Sequence, residues 1–196
     1  MTVAAPSPDV QQRRISVDEY HRMIEAGILD EDEKVQLIDG MLVAMTPQGQ
    51  PHAFAIMRLT RLLARALSDD FEVLPQLPLT LGHDSEPEPD LAVVRAQDVA
   101  STTRHPGTAL LVIEVAGDSL RFDRRTKLAL YARSGIPEYW IVNLQDAVVE
   151  VYREADAAAG AYRSTQVARR GETLSAVALP DVRVDVALLF PAGSLT

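Results

Sequence analysis

Three short runs of almost wholly apolar residues constrain the fold of this chain more than any other feature of its sequence. They are Leu91–Val94, Ala109–Ile113 and Tyr139–Val142. Strands that are covered on both faces show continuous apolar runs, whereas half-exposed strands alternate apolar and polar residues. The sequence therefore predicts a mixed α/β (α+β) domain, in which helices flank a central sheet.

Helices are predicted before and between these strands. Ser16 and Glu19 form a capping-box pair at the start of a short helix, which Gly27 can end in the left-handed conformation. Apolar residues recur at helical spacing from His52 to Leu67. A further helix is predicted from Arg121 to Arg133, so that the core order is helix, three strands, helix, strand.

The remaining segments carry strand and turn signals. The Asp39-Gly40 pair predicts a tight hairpin between Val35 and Met45. Phe71–Pro75 and Leu77–Leu81 are predicted to be strands, separated from the next strand by a polar loop. Four segments near the C-terminus predict a largely antiparallel extension and a final helical turn: Val148–Arg153, Tyr162–Ala168, Thr173–Leu179 and Val186–Phe190.

Length and composition indicate one globular domain. We assign residues 15–196 to it and residues 1–14, rich in Pro, Ser, Ala and Gln without a hydrophobic period, to a flexible N-terminal arm. The absence of cysteine excludes disulfides and thiolate metal sites. No stretch predicts a signal peptide or a membrane span, so we expect a cytoplasmic protein without membrane association.

The net charge of −9 argues against non-specific coating of nucleic acid, because that affinity comes mainly from Lys and Arg on phosphates. Any contact with DNA must therefore be local, and metal ions at a site can supply positive charge. The sequence contains no phosphate-binding loop, dinucleotide fingerprint or serine-hydrolase elbow, and so lacks the motifs of those classes.

Glu114 is the most informative polar residue, because it lies within the apolar run Leu111–Val115. Alternation places it beside Val112 on one face of a buried strand. Burying an unpartnered polar group costs roughly 2 to 7 kcal/mol, and an ionised group costs more. Glu114 therefore needs a cation, a proton or several donors, and an arginine such as Arg124 or Arg125 is one alternative to a metal ion.

Asp90 opens the preceding strand and can approach Glu114 across the sheet. Two such carboxylates suit Mg²⁺ or Mn²⁺, which bind one or two acids together with water and phosphate oxygens. For Asp90 alone, entry into a strand after Pro89 is the simpler explanation. The metal hypothesis therefore depends on the two acids as a pair.

Lys127 is notable because the chain contains seventeen arginines but only two lysines, Lys34 and Lys127. A compact ammonium whose pKa responds to burial can orient water in ways that a guanidinium cannot. Asp123 lies one helical turn earlier and could pair with Lys127. The alternative is that Lys127 is a solvated residue on a helix surface.

Several motifs together resemble the Uma-two family of restriction-endonuclease-like proteins, a branch of the PD-(D/E)XK nuclease superfamily. The resemblance covers about Asp18–Phe190 and is carried by Gln36-Leu37-Ile38-Asp39-Gly40, Glu88-Pro89-Asp90-Leu91, Ile113-Glu114-Val115, Asp123 through Lys127 to Tyr131, and Gly135-Ile136-Pro137-Glu138-Tyr139-Trp140. It implies a restriction-endonuclease-like core with a central mixed sheet, to which the antiparallel strands are added.

The resemblance also implies roles for individual residues. Asp90, Glu114 and the carbonyl of Val115 would bind the metal, and Lys127 would be the water-orienting base. The usual lysine of the superfamily, two residues after the glutamate, is replaced by Ala116. Three residues take a secondary place: His52, as a phosphate contact or proton shuttle, Asp123, and Gln36, which stands where the family commonly has Glu.

From these residues we expect a Mg²⁺- or Mn²⁺-dependent endonuclease that hydrolyses DNA. Four arginines are candidate nucleic-acid contacts: Arg58, Arg61, Arg65 and Arg124. The first three also fit an ordinary exposed helix face. Two alternatives are a catalytically inactive binding or assembly module and a hydrolase of small phosphoesters. We also expect a homodimer, with Tyr139 and Trp140 as core or interface residues.

Overall fold

The computed structural model describes residues 12–30, 33–45, 47–100 and 104–191. Its helices are α1 (Val17–Glu25), α2 (Gln50–Ala66), α3 (Ala96–Ala100), α4 (Leu120–Phe122) and α5 (Leu128–Arg133), with a π-helical segment, Asp123–Lys127, between the last two and a 3-10 helix at Val186–Leu189. Its strands are β1 (Val35–Ile38), β2 (Met41–Ala44), β3 (Phe71–Pro75), β4 (Leu91–Arg95), β5 (Leu111–Ala116), β6 (Glu138–Asn143), β7 (Val148–Asp156), β8 (Ala161–Ala168), β9 (Thr173–Ala176) and β10 (Leu179–Asp185).

A six-stranded mixed sheet organises the domain, in the order β3-β4-β5-β6-β7-β8. Only β5 and β6 pair in parallel, since the chain between them crosses one face of the sheet through α4, the π segment and α5. The other neighbours pair antiparallel. The predicted central mixed sheet with an antiparallel extension is therefore confirmed, and β9 and β10 form a separate hairpin.

Alternation along β5 divides the core into two layers. Leu111, Ile113 and Val115 pack on the side of α2, together with Leu59 and Leu63 of that helix. Val112 and Ala116 pack on the opposite side, with Leu130 and Tyr131 of α5. Glu114 stands between these last two strand positions, as the sequence predicted, and is therefore directed to the α5 side of the sheet.

The local signals at the start of the domain are confirmed. Ser16 caps α1 through a reciprocal capping box with Glu19. Asp39 and Gly40 both have positive φ, 48° and 71°, as a two-residue hairpin turn between antiparallel strands requires. Arg13 pairs with Glu19, and Arg14 donates to the carbonyl of Asp39. The rest of the predicted arm, residues 1–11, lies outside the described residues.

Two expectations from the sequence need correction, and one open alternative is decided. Leu77–Leu81 is not a strand, because the chain turns at Gln76, where φ is 53°, and Pro78 has no amide to donate. The open alternative concerns Tyr139 and Trp140, which are core residues and not interface residues, since both are buried inside the domain. The predicted helix at Arg121–Arg133 contains the π segment, which no sequence signal indicated.

Among the described residues, no helix combines the length and the apolar composition needed to span a bilayer.

The packing of α2 on the sheet gives a test of the core. Leu63 is 1% exposed, whereas Met57 on the same helix is 60% exposed. We expect Leu63→Ala to lower the free energy of unfolding by about 2–5 kcal/mol, because it removes buried methyl groups and leaves a cavity. Met57→Ala should change it by less than about 0.5 kcal/mol. Urea denaturation measures both values, and equal losses would contradict the described packing.

Candidate functional site

A cavity of about 270 Å³ opens at the end of β5, between the sheet and the π segment. It brings together all the residues that the sequence predicted as catalytic, metal-binding or secondary: Gln36, His52, Asp90, Glu114, Val115, Asp123 and Lys127. These residues come from β1, α2, β5, the π segment and the residue before β4. The tertiary structure therefore places residues that are up to about ninety positions apart around one space.

Glu114 is neutralised by Lys127 and a tyrosine. Its Oε1 atom accepts a hydrogen bond of 2.8 Å from Nζ of Lys127 and one of 2.7 Å from the hydroxyl of Tyr131. The partner cation is thus Lys127, and neither Arg124 nor Arg125, the arginines considered from the sequence. Burial raises the pKa of Glu114, and the charge of Lys127 opposes that rise.

Lys127 is as deeply buried as its partner, and two effects act on it in opposite directions. Burial lowers the pKa of Lys127, but the carboxylates of Glu114 and Asp123 more than offset this effect, so that its pKa is raised. The ammonium therefore stays protonated near neutral pH. Lys127 is not the solvated helix residue of the alternative interpretation, since only 5% of it is exposed.

Asp90 is held by a backbone amide at the point where the pairing between β4 and β5 ends. The last paired residues there are Leu91 and Ile113, so the amide of Val115 lies just beyond the ladder. Oδ2 of Asp90 accepts a hydrogen bond of 2.7 Å from that amide. The same oxygen lies 3.1 Å from Nε2 of His52, near the start of α2.

The π segment places Asp123 and Lys127 at the cavity. A π turn contains more residues than an α turn, so side chains four residues apart point in more nearly the same direction from the helix axis. Both side chains are buried. Asp123 accepts a hydrogen bond of 2.6 Å from the hydroxyl of Ser119, while Lys127 pairs with Glu114. Asp123 therefore acts on Lys127 through its charge. Burial raises the pKa of Asp123 itself, although the charge of Lys127 lowers it.

Gln36 and Ala116, the two departures from the family pattern, are both buried. Oε1 of Gln36 accepts a hydrogen bond of 3.3 Å from the amide of Glu88. Ala116 packs in the core on the α5 side of β5. The ammonium at the site is thus supplied by the π segment and not by the strand.

Sequence reasoning gave no role to several polar residues of the site, among them Tyr131 and Glu88. Tyr131 follows Lys127 by four residues and donates to Glu114, a signal that helical spacing contained. Glu88 precedes Asp90 by two residues, lines the same cavity and is half-buried. Burial raises the pKa of Glu88, while Lys34 and Lys127 lower it.

The four arginines predicted to contact nucleic acid lie outside this cavity. Arg58, Arg61 and Arg65 line a separate recess of about 240 Å³ along α2. The guanidinium of Arg58 lies 5.3 Å from the centre of the Phe54 ring. Arg124 makes two hydrogen bonds to Glu150, of 2.9 and 2.6 Å. Contacts of these four residues with nucleic acid stay a prediction.

The arrangement of oxygen atoms fits a hard divalent cation. Oε1 of Glu114 and Oδ2 of Asp90 carry the hydrogen bonds given above, which leaves one oxygen of each acid for a cation. In the part of the chain that the structure describes, no three His, Asp or Glu side chains form a metal cluster. An ion here would therefore need the carbonyl of Val115, water or substrate oxygens, a ligand set that Mg²⁺ accepts.

Comparison with known proteins identifies the fold. The profile of the Uma2 family, described as "Putative restriction endonuclease", matches residues 17–187. A protein of known structure from Anabaena variabilis ATCC 29413, described as a "putative nuclease belonging to DUF820", is similar over 90% of this chain and 97% of its own, with a TM-score of 0.71 and 17% identity. No curated protein sequence matches. The structural similarity confirms the expected nuclease-type fold.

The Glu114–Lys127 pair yields a pH-dependent prediction. We expect Lys127→Met to destabilise the domain by about 3–5 kcal/mol at pH 8, because it leaves Glu114 buried without its cation. Loss of the ammonium raises the pKa of Glu114 in the folded protein further. A carboxyl group whose pKa is higher in the folded than in the unfolded chain stabilises the fold below its unfolded pKa. This stability is lost as the pH rises through the folded pKa. The loss should therefore shrink at pH 5.

Urea denaturation at both pH values measures this effect. The double variant Glu114→Gln with Lys127→Met is the matched control, since its amide carries no charge at either pH. A loss in the single variant that is the same at pH 5 and pH 8 would contradict the coupling of the two charges.

Proposed function

The chain belongs to the Uma2 family, and from this membership and its buried pair of acids we propose that it is a divalent-metal-dependent endonuclease that hydrolyses DNA phosphodiester bonds. One observation carries the proposal: Asp90 and Glu114 line a single cavity together with a protonated lysine. Burial of charge is unfavourable, so a group of buried acids and a lysine around one cavity indicates a functional site.

We assign the metal site to Asp90, Glu114 and the carbonyl of Val115. A bound Mg²⁺ or Mn²⁺ would supply positive charge at the scissile phosphate and make a water molecule more acidic. The acids are held for this purpose by the chain itself. The amide of Val115 fixes Asp90, and Tyr131 with Lys127 fixes one oxygen of Glu114.

Lys127 acts in this scheme as a charged hydrogen-bond donor. Its pKa is raised by its acidic neighbours, so it holds its proton at neutral pH and does not accept one from water. A buried ammonium can orient an attacking water and stabilise the negative charge that develops on the phosphate. The family resemblance implied a water-orienting base at Lys127, and we propose the water-orienting part of that role.

We propose a supporting role for His52, which lines the same cavity. Nε2 of His52 lies 3.1 Å from Asp90, and its Nδ1 atom is buried without a hydrogen-bond partner among the described residues. The side chain thus steadies Asp90, and a phosphate contact or a proton shuttle through His52 stays a prediction. Asp123 has a supporting role, because its charge helps to keep Lys127 protonated. Gln36 has one too, because it accepts a hydrogen bond from the backbone amide of Glu88.

Local positive charge would hold the DNA, because the protein as a whole is acidic. Arg58, Arg61 and Arg65 extend along α2 from His52, at distances of about 9 to 20 Å along the helix axis by the ordinary rise per residue. Phosphates away from the scissile bond would contact this stripe. Arg124 takes part less directly, since it is paired with Glu150.

The activity prediction concerns the three central residues. Purified Asp90→Ala, Glu114→Gln and Lys127→Met variants should each lose metal-dependent DNA cleavage by roughly 100-fold or more, because each removes a charge at the reacting phosphate. Lys34→Met is the matched control, since Lys34 is the other lysine and is exposed. Cleavage assays on plasmid and oligonucleotide DNA measure the loss. An Asp90→Ala variant that retains wild-type cleavage would contradict the assignment of this cavity as the nuclease active site.

Folded variants without any cleavage, and a wild type that is equally inactive, would instead favour a binding or assembly module with a nuclease fold. A panel of small phosphodiesters in the same assay separates a nuclease from a hydrolase of small phosphoesters. We further propose a homodimer, because two-fold dimers are the commonest oligomers of soluble proteins, and sedimentation measures this state.

The metal prediction does not require knowledge of the substrate. Calorimetric titration of Mg²⁺ or Mn²⁺ into the wild type should show binding that is lost in Glu114→Gln, since an amide is a poorer ligand than a carboxylate for these ions. Glu72→Gln provides the control, because Glu72 is exposed on β3. Equal binding by wild type and Glu114→Gln would contradict the proposed ligand set.

A further inference from the structure

A second, larger cavity adjoins the one that contains the acids. Its volume is about 370 Å³, and it shares Gln48, His52 and Ser119 with the first cavity. A space of that size is in the range of about 300–1,000 Å³ that accommodates small organic groups, and it exceeds what an ion with its waters needs. The proposed reaction at Asp90 and Glu114 leaves this space without a role.

The walls of the second cavity suit a mostly apolar group that also forms hydrogen bonds at its edges. Apolar side chains form a large part of them: Pro47, Pro51, Leu144, Phe190 and Pro191. Gln145 and the turn from Gly117 to Ser119 add polar groups. Nucleobases have this character, since their faces stack on apolar or aromatic side chains while their edges form hydrogen bonds.

A third recess, of about 330 Å³, follows directly, because it shares Asp118 and Gln145 with the second cavity. Three arginines line it: Arg121, Arg124 and Arg125. Arg124 is paired with Glu150, whereas no ion pair involves Arg121 or Arg125 within the described ranges. With Asp118 as the acid on this wall, the recess has an excess of positive charge and fits a phosphate.

The three spaces therefore alternate in chemistry as a nucleic-acid strand does: acids and a lysine for the scissile phosphate, an apolar cavity for a base, and arginines for the next phosphate. We propose that the apolar cavity binds an unpaired nucleobase next to the scissile phosphate, so that the substrate class is single-stranded or locally unpaired nucleic acid. This inference rests on the proposed function, and it names the substrate of the same site.

Unpaired strands are favoured because a paired base is stacked within the duplex. Bringing such a base into a pocket requires that it be flipped out, with loss of pairing and stacking. The free-energy cost is lowest for a base in a single strand, in a bulge or at an end. The acidic protein would also gain little from a long duplex, which carries more phosphate charge than one strand.

Gly117 offers a way to fill the cavity without strain. It lines the second cavity, its φ is not in the left-handed region, and no atom lies within 4 Å of the position that a Cβ would take. Gly117→Leu should therefore compete with a base for this space, and Gly117→Ala should do so only weakly. Gly107→Leu is the matched control, because Gly107 is exposed and lies outside all three spaces.

The experiment compares oligonucleotides of one sequence in the presence of Mg²⁺ or Mn²⁺: single-stranded, fully paired, paired with one bulged nucleotide, and single-stranded with one abasic nucleotide moved stepwise along the strand. We expect the wild type to cleave single-stranded and bulged DNA about tenfold faster than the duplex. An abasic nucleotide beside the cleaved bond should slow the reaction about tenfold, and at distant positions it should not.

The variants add a second readout that a merely structural role would not produce. Gly117→Leu should cleave the normal strand about tenfold more slowly and show less than a twofold abasic effect, whereas Gly107→Leu should retain the full effect. If Gly117→Leu fails to fold, as thermal unfolding would show, the abasic series on the wild type decides by itself. Gly117→Ala then gives the intermediate response.

The outcomes separate this inference from the function on which it rests. Cleavage that Asp90→Ala abolishes but that is equally fast on duplex and single strands, or that ignores the abasic nucleotide at every position, overturns the inference and leaves the nuclease assignment intact. Absence of metal-dependent cleavage overturns the function. In that case binding of the same oligonucleotides, followed by fluorescence anisotropy, decides, and equal affinity for normal and abasic strands overturns the inference.

Discussion

The burial of one carboxylate determines the organisation of this domain. Glu114 lies in the middle of β5, a strand with neighbours on both sides and packing on both faces. A charge in that position is stable only with a partner, and the structure supplies the ammonium of Lys127 and the hydroxyl of Tyr131. The helical crossover between β5 and β6 thus has two tasks, to complete the sheet and to neutralise the acid within it.

The cavity follows from small departures from regular structure around that pair. The ladder between β4 and β5 stops at Leu91 and Ile113, which frees the amide of Val115 to hold Asp90. The π segment brings a second acid, Asp123, to the same space. Irregular hydrogen bonding of both kinds is common at functional sites, because it redirects side chains that a regular strand or helix would point elsewhere.

Positive groups in this protein are concentrated in a few places, although its net charge is negative. The surface as a whole is acidic, whereas positive groups are concentrated beside the cavity and along α2. Under the proposed function, a polyanionic substrate would be attracted only locally, and chemistry on it would depend on a cation that the acids of the cavity would hold. The adjoining apolar cavity would add a contact with a base that does not depend on charge.

The sequence by itself determined the sheet, the two main helices and the identity of the central acids, since apolar runs, helical spacing and a carboxylate such as Glu114 within a buried strand are local signals. It failed at Leu77–Leu81 and at the π segment, where backbone conformation is set by contacts with distant residues. Only the tertiary structure decided that Lys127, and no arginine, neutralises Glu114, and that Tyr131 assists. Pairing of that kind depends on distances between elements, which the order of residues along the chain does not contain.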